Sequence, residues 1–445
     1  MKSSKVQKQL CFATVILLAL PLFFWCSGIS VPPKLKGAFS PSNYLSFKWN
    51  NWFNGSYQEN TTPYINENIG LRNWFIYLGN QYQYTAFDRL SNEKVVQLDN
   101  GFLYEQTYID AITGKNFIGK DSIQELTGKL KFIQDQLAKD SIQFLFVLAP
   151  GKAHFFQEHF PETNYPSTFH PDSTNRTQVL HSFKENGINH IDFASWFLEM
   201  KATSPFPLYP KTGTHWSYYG SYLAQDSILN YLKNSQPQHF GSYKLDAIDR
   251  SFPKKKLVDD DIEKSLNLIQ KLDQYEMGYP QLSFVPAQNP THPCVVISDS
   301  YYWQIHKAGF TKKALNGGSF LYYYRELYTP DDHRPVREGV WKKGAEELIK
   351  KHKAVIVLST DANLHRLGFG FIEDYYSILH NEGRAIDEKE NAVQKWMRII
   401  QANPEWNEKV KKTAKEKGLN YEDVLKGNAE YMLYLKKKEE KAKAQ

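Results

Sequence analysis

Five short apolar runs, rich in β-branched and aromatic side chains and separated by helical patterns, constrain this chain's fold more than any other feature. Residues 142–148, 188–193, 294–297, 320–324 and 354–358 read as strands; 126–139, 216–232 and 340–350 read as helices between them. Such apolar strands are covered on both faces, and the helical crossovers let neighbours run parallel. The expected core is therefore an α/β domain of flavodoxin-like order with a largely parallel sheet. In such sheets the loops beyond the carboxyl ends of the strands carry the residues that meet a ligand.

The start of the chain sets the compartment. Lys2, Lys5 and Lys8 precede residues 10–29, which contain no charge. About twenty helical residues at ~1.5 Å each cross the ~30 Å hydrocarbon core, longer than the apolar part of most cleaved signals. The reading is an uncleaved single-pass anchor, with its basic N-terminal side in the cytoplasm and everything after Pro32 outside, in the periplasm of a bacterium. A cleaved signal peptide is the alternative. Cys11 and Cys26 fall in the anchor and only Cys294 in the exported part, so stability there rests on packing rather than disulfides. The net charge of +6 arises from dispersed residues and points to no nucleic-acid partner.

Four segments follow: an anchor over 1–30, a tether over 31–64 rich in Pro, Ser, Asn and aromatics, a domain over 65–386, and a charged helical extension over 387–445. Within the domain, 65–90 has helical spacing and 95–104 reads as a hairpin turning at Asn100-Gly101. Residues 235–288 are charged and punctuated, which suits an excursion above the sheet. In the extension, 393–400, 406–417 and 421–438 read as short helices presenting one thin apolar face to the main domain.

Two motifs carry chemistry. Ser300 ends the run Val295-Val296-Ile297-Ser298-Asp299-Ser300, where an α/β sheet can expose a hydroxyl beside backbone N–H groups. His215, in Gly213-Thr214-His215-Trp216, sits where a loop meets a helix and offers the base a serine needs. Alone, Ser298 to Ser300 would serve as a helix cap and His215 as a structural histidine; together they point to acyl chemistry. Asp299 either supports the base or holds the turn. The Ser300 or Tyr301 amide is a natural oxyanion donor, and Asn363 is a side-chain candidate. Lys152 and His154 follow another strand end. Aromatics beside both motifs, including Trp216, Tyr218, Tyr219, Tyr301, Tyr302 and Trp303, would suit the C–H faces of sugar rings, but any single one is more often a core residue. No metal-ligand spacing and no cofactor motif is evident.

The order of Asn66-Glu67-Asn68-Ile69-Gly70-Leu71-Arg72, Asp99-Asn100-Gly101-Phe102-Leu103-Tyr104, Ala149-Pro150-Gly151-Lys152, Thr214-His215-Trp216 with Tyr219-Gly220, and Ser298-Asp299-Ser300 resembles the alginate O-acetyltransferase AlgX/AlgJ group, whose domain is SGNH hydrolase-like. The resemblance spans about 66–379. It implies Ser300 as an acyl-accepting nucleophile and His215 as its base, in the order histidine before serine. It further implies O-acetylation of an envelope or exported polysaccharide, with a membrane-bound acyltransferase as the acetyl source. The family's aspartate falls at Gly213, which cannot orient an imidazole. Three arrangements stay open: a backbone carbonyl holding Nδ1 in a Ser–His dyad, ranked first; a carboxylate from elsewhere, with Asp192, Asp299 and Asp361 as candidates; or lost catalysis. A carbohydrate esterase using the same pair and a noncatalytic glycan scaffold are the competing functions.

Overall fold

The computed structural model describes residues 4–29, 32–37, 42, 44–98, 100–160, 174–235, 237–253, 259–287, 293–329, 337–338, 344–379 and 383–443. Its strands in chain order are β1 (Val95–Gln97), β2 (Leu103–Glu105), β3 (Gln143–Ala149), β4 (His190–Asp192), β5 (Ser242–Ser251), β6 (Met277–Val285), β7 (Cys294–Ser298), β8 (Ser319–Tyr322), β9 (Glu326–Tyr328), β10 (Arg337–Glu338) and β11 (Ala354–Thr360).

Among the described residues the central sheet has seven strands in the order β10-β9-β8-β7-β11-β3-β4. The five from β8 to β4 pair in parallel, while β9 and β10 add antiparallel at one edge. All five runs identified as strands are therefore strands, in an α/β sheet that is mixed but mostly parallel. β7 and β11 are buried along their whole length, as strands with helices on both faces must be. Because β11, last in the chain, inserts between β7 and β3, the carboxyl ends of these strands bring residues 149–155, 299–301 and 360–363 along one edge.

The helix Lys120–Lys139 buries Ile123, Leu130, Ile133 and Leu137 on one stripe. β1 and β2 form the expected hairpin, with Gly101 at φ 76° in its turn; Asp99 lies outside the described residues. The excursion between the helix Tyr218–Ser235 and β7 holds the antiparallel pair β5 and β6 and a one-turn helix, Asp261–Leu266.

Two expectations are corrected. The helix over 65–90 is two helices, Ser56–Asn68 and Arg72–Phe87, broken at Ile69-Gly70-Leu71, and the tether already holds the short helix Trp49–Phe53. At Gly70 an added Cβ would lie 2.5 Å from Pro21 O and from Phe24 Cβ, so the chain turns where only glycine fits. The C-terminal helices Gly383–Ala402, Pro404–Lys417 and Tyr421–Lys443 pack on one another, around Val393, Ile400, Val410, Leu425 and Ala429. They belong to a compact unit of their own that also takes in residues 344–349 and 370–379.

Candidate active site

Ser300 sits in the turn between β7 and the helix Tyr302–Lys307, and His215 in the loop before Tyr218–Ser235. Nδ1 of His215 lies 2.6 Å from Asp261 Oδ2, and Nε2 lies 3.0 Å from Ser300 Oγ. A carboxylate only accepts, so Nδ1 carries the proton and Nε2 is left to accept from the serine hydroxyl. The imidazole is 14% exposed and the carboxylate 27%. Burial disfavours the imidazolium, but the charge and hydrogen bond of Asp261 outweigh it and hold His215 above its ordinary range.

Asp261 is the residue that sequence reasoning missed, and it overturns the dyad expectation. Its Oδ1 accepts from the Thr214 amide at 2.8 Å and from the Ile262 amide at 2.9 Å, which fixes Oδ2 toward the imidazole. Gly213 explains how it arrives. A Cβ there would lie 2.6 Å from the carbonyl oxygen of Asp259 and 2.9 Å from Pro210 Cγ. Gly213 is thus what lets Asp259 to Asp261 press against the histidine loop. Thr212 and Glu263 clamp the two segments through Glu263 N to Thr212 O at 3.1 Å and Thr212 Oγ1 to Glu263 Oε2 at 3.0 Å.

Lys152 holds the same loop from below. Its ammonium, 1% exposed, donates to the carbonyls of Leu103, Lys211 and Gly213 at 2.7, 2.8 and 2.9 Å. Burial pushes its pKa down, against the pull of Asp261 and Glu105. It is a buried staple between β2 and the 211–213 loop. Tyr301 completes the join: its hydroxyl donates to Thr214 O at 2.8 Å and its ring lies 5.0 Å from that of His215.

The remaining candidates fall into place without reaching His215. Asp299 is fully buried; its Oδ2 accepts from the Thr360 amide and hydroxyl and from Asn363 Nδ2 at 2.8–2.9 Å, and its Oδ1 from the Tyr301 amide at 3.1 Å. Burial raises its pKa while these donors oppose the rise. Asp299 therefore pins the serine turn to the end of β11. Because a buried carboxyl draws nearby donors to itself, the Tyr301 amide and the Asn363 side chain are engaged there rather than turned toward an oxyanion. Asp192 pairs with Arg176 at 2.8 and 2.9 Å, and Asp361 accepts from the Gly151 amide at 2.8 Å. Neither rescues the histidine. Asp361 and Arg176 instead line a separate cavity of about 550 Å³ with His154 and Glu158.

Asp259 gives a stability prediction. Its Oδ2 accepts from the Tyr279 hydroxyl at 2.7 Å, and burial pushes its pKa from 3.8 up to about 6. A carboxyl raised in the fold destabilises it above about pH 6 and not below the unfolded value, and at ~1.36 kcal/mol per pH unit the effect is about 3 kcal/mol. Asp259→Asn raises the unfolding free energy by about that much at pH 8 and by little near pH 4; an equal change at both values in denaturant titrations contradicts this.

The pair opens on a cavity of about 470 Å³ lined by His215, Tyr218, Ser300, Trp303, Gln304, Lys307 and Tyr328. Trp303 packs edge-on against Tyr328 at 4.6 Å, and Lys307 Nζ lies 5.3 Å from its ring. Aromatic walls beside a serine hydroxyl, a base and an orienting carboxylate can bind a sugar and move an acyl group.

Residues 100–271 match the family model described as SGNH hydrolase-like domain, acetyltransferase AlgX. That stretch is similar to the acetyltransferase domain the model describes. The match takes in His215 and Asp261 and ends before Ser300. No curated protein matches the chain. Solved structures similar to it include the O-acetyltransferase domain of Pseudomonas putida AlgJ, 14% identical over 61% of this chain and 92% of that one, with a TM-score of 0.37. Bacillus cereus PatB1 with a sulfonyl adduct is 14% identical over 62% and 99%, with a TM-score of 0.40. Pseudomonas aeruginosa AlgX is 15% identical over 66% and 71%, also at 0.40. In this chain the carboxylate on His215 comes from Asp261, while position 213 is a glycine.

Proposed function

We propose that this protein is an O-acyltransferase, moving acetyl groups onto hydroxyls of an envelope or exported polysaccharide from the periplasmic side of a bacterial inner membrane. The observation that carries the reading is His215 bridging Ser300 and Asp261 at the mouth of an aromatic-lined cavity. Nε2 takes the Ser300 proton as Oγ attacks the acetyl carbonyl, and the protonated imidazole returns that proton to the leaving group of the donor. A sugar hydroxyl then attacks the acyl-serine, passing its proton to Nε2, and Ser300 leaves with it. Asp261 holds the tautomer and stabilises the imidazolium in both steps. The Ser300 amide, on the same residue as Oγ, is the expected donor to the developing oxyanion.

The helix Lys5–Ser27, of mean hydropathy 2.3 and unburied by the rest of the chain, suits a single-pass anchor. A membrane-bound acyltransferase is the expected acetyl source, and the polysaccharide the acceptor. Incubating the purified protein with a chromogenic acetate, with and without acceptor oligosaccharides, tests transfer against hydrolysis. Acetylated oligosaccharide that disappears in Ser300→Ala is the expected product. Acetate release that no acceptor diverts would mean an esterase, and no Ser300-dependent turnover would mean a scaffold.

A further inference from the structure

The helix Arg72–Phe87 is inverted with respect to an ordinary surface helix. No residue of it is buried, and from Asn73 to Phe87 it contains no charged side chain. Its polar groups face the protein: Asn73 Nδ2 donates to Pro33 O at 2.9 Å, Asn80 Nδ2 to Leu266 O at 2.8 Å, and Gln81 Oε1 accepts from the amides of Ile269 and Gln270. Its large apolar groups face out, with Trp74, Phe75, Leu78 and Tyr82 between 41% and 61% exposed. At about 100° per residue these two sets occupy separate arcs of the helix. An apolar stripe of this kind on the outside marks a contact with something apolar.

The surroundings identify that contact. The turn before this helix is bonded to the apolar helix Lys5–Ser27, Gly70 N donating to Pro21 O at 3.1 Å, about a turn and a half from that helix's C-terminal end. The neighbouring helix Trp49–Phe53 is also uncharged and exposes Trp49 and Phe53, stacked at 6.0 Å. Tryptophan and tyrosine concentrate where bilayer meets water, and amphipathic helices with such faces lie in that plane.

We propose that Arg72–Phe87 and Trp49–Phe53 form a collar lying in the outer interface of the bilayer crossed by Lys5–Ser27, with Trp74, Phe75, Leu78 and Tyr82 turned to lipid. The inference rests on the anchor reading above. The collar's inner face grips the C-terminal end of the helix Asp261–Leu266, whose first residue holds His215, so the bilayer and the active site share a structural link.

The test uses the full chain, purified and placed one copy per lipid nanodisc, with Cys11, Cys26 and Cys294 replaced by serine, serine and alanine. A bimane probe is attached in Leu78→Cys or, as a control at the exposed end of the helix Lys120–Lys139 that leads into the amino end of β3, in Lys139→Cys. Spin-labelled lipids quench the probe at position 78 several-fold more than at 139, and adding Phe75→Glu, at an exposed position that leaves the fold intact, removes most of the difference. Equal quenching at both positions overturns the collar, and shielding of position 78 from aqueous iodide without lipid quenching assigns the face to a protein partner instead. Resistance to alkaline carbonate extraction reads the anchor separately: a retained chain with an unquenched position 78 refutes the collar alone, whereas an extracted chain removes the anchor and the collar with it.

Discussion

Asp261→Asn lowers the rate of Ser300 acylation by about three to four orders of magnitude while leaving the fold intact. The basis is the pair of hydrogen bonds on His215: only an acceptor at Nδ1 keeps the proton there and leaves Nε2 free for Ser300, and an asparagine amide can present a donor instead. In serine proteases the equivalent aspartate-to-asparagine change costs about 10⁴ in turnover. The pH profile makes the assignment specific. His215 is the base only when neutral, so acylation increases as pH rises through its pKa, which Asp261 holds above the ordinary range. In the asparagine variant only the smaller pulls of Glu105 and Asp299 oppose burial, and the midpoint of the residual activity moves down in pH. A rate loss without that movement would make Asp261 merely structural.

Gly213→Asp, which puts a carboxylate where the resemblance leads one to expect it, inactivates the protein rather than repairing it. Any side chain at this position begins with a Cβ 2.6 Å from a backbone oxygen and 2.8 Å from a backbone carbon of Asp259. Neither partner is the flexible end of a side chain, so the segment 259–261 has to move, and Asp261 leaves His215 with it. A displacement of about 1 Å in a reacting constellation costs on the order of 10² in rate. Gly213→Ala therefore loses at least that much in kcat with circular dichroism unchanged, and Gly213→Asp at least as much. Wild-type activity in either variant contradicts the role of Gly213 in seating Asp261 against His215.

The sheet was legible because its strands are apolar on both faces and bounded by turns, a pattern that local sequence records. Ser300 and His215 were legible for a related reason: each follows a strand or precedes a helix at a position whose backbone geometry sequence can suggest. Asp261 was not. It lies 46 residues beyond His215, in a charged stretch where Asp259-Asp260-Asp261 looks like a solvated cluster, and its role depends on a tertiary approach. The one trace it left was Gly213, a missing carboxylate that was also a missing Cβ. The outward face of Arg72–Phe87 was hidden likewise, since helical spacing gives the stripe but not the side of the helix that the protein occupies. The break at Gly70 depends on contact with Pro21 and Phe24, which no local window contains.

The most direct measurement is mass spectrometry of the Ser300 peptide after brief exposure to an acetyl donor in the absence of acceptor. The account predicts an acetyl group on Ser300 in the wild-type protein, little in His215→Ala or Asp261→Asn at the same time point, and loss of the label when acceptor oligosaccharide is added. A folded protein that acquires no label on Ser300, or that labels equally well without His215, would contradict it.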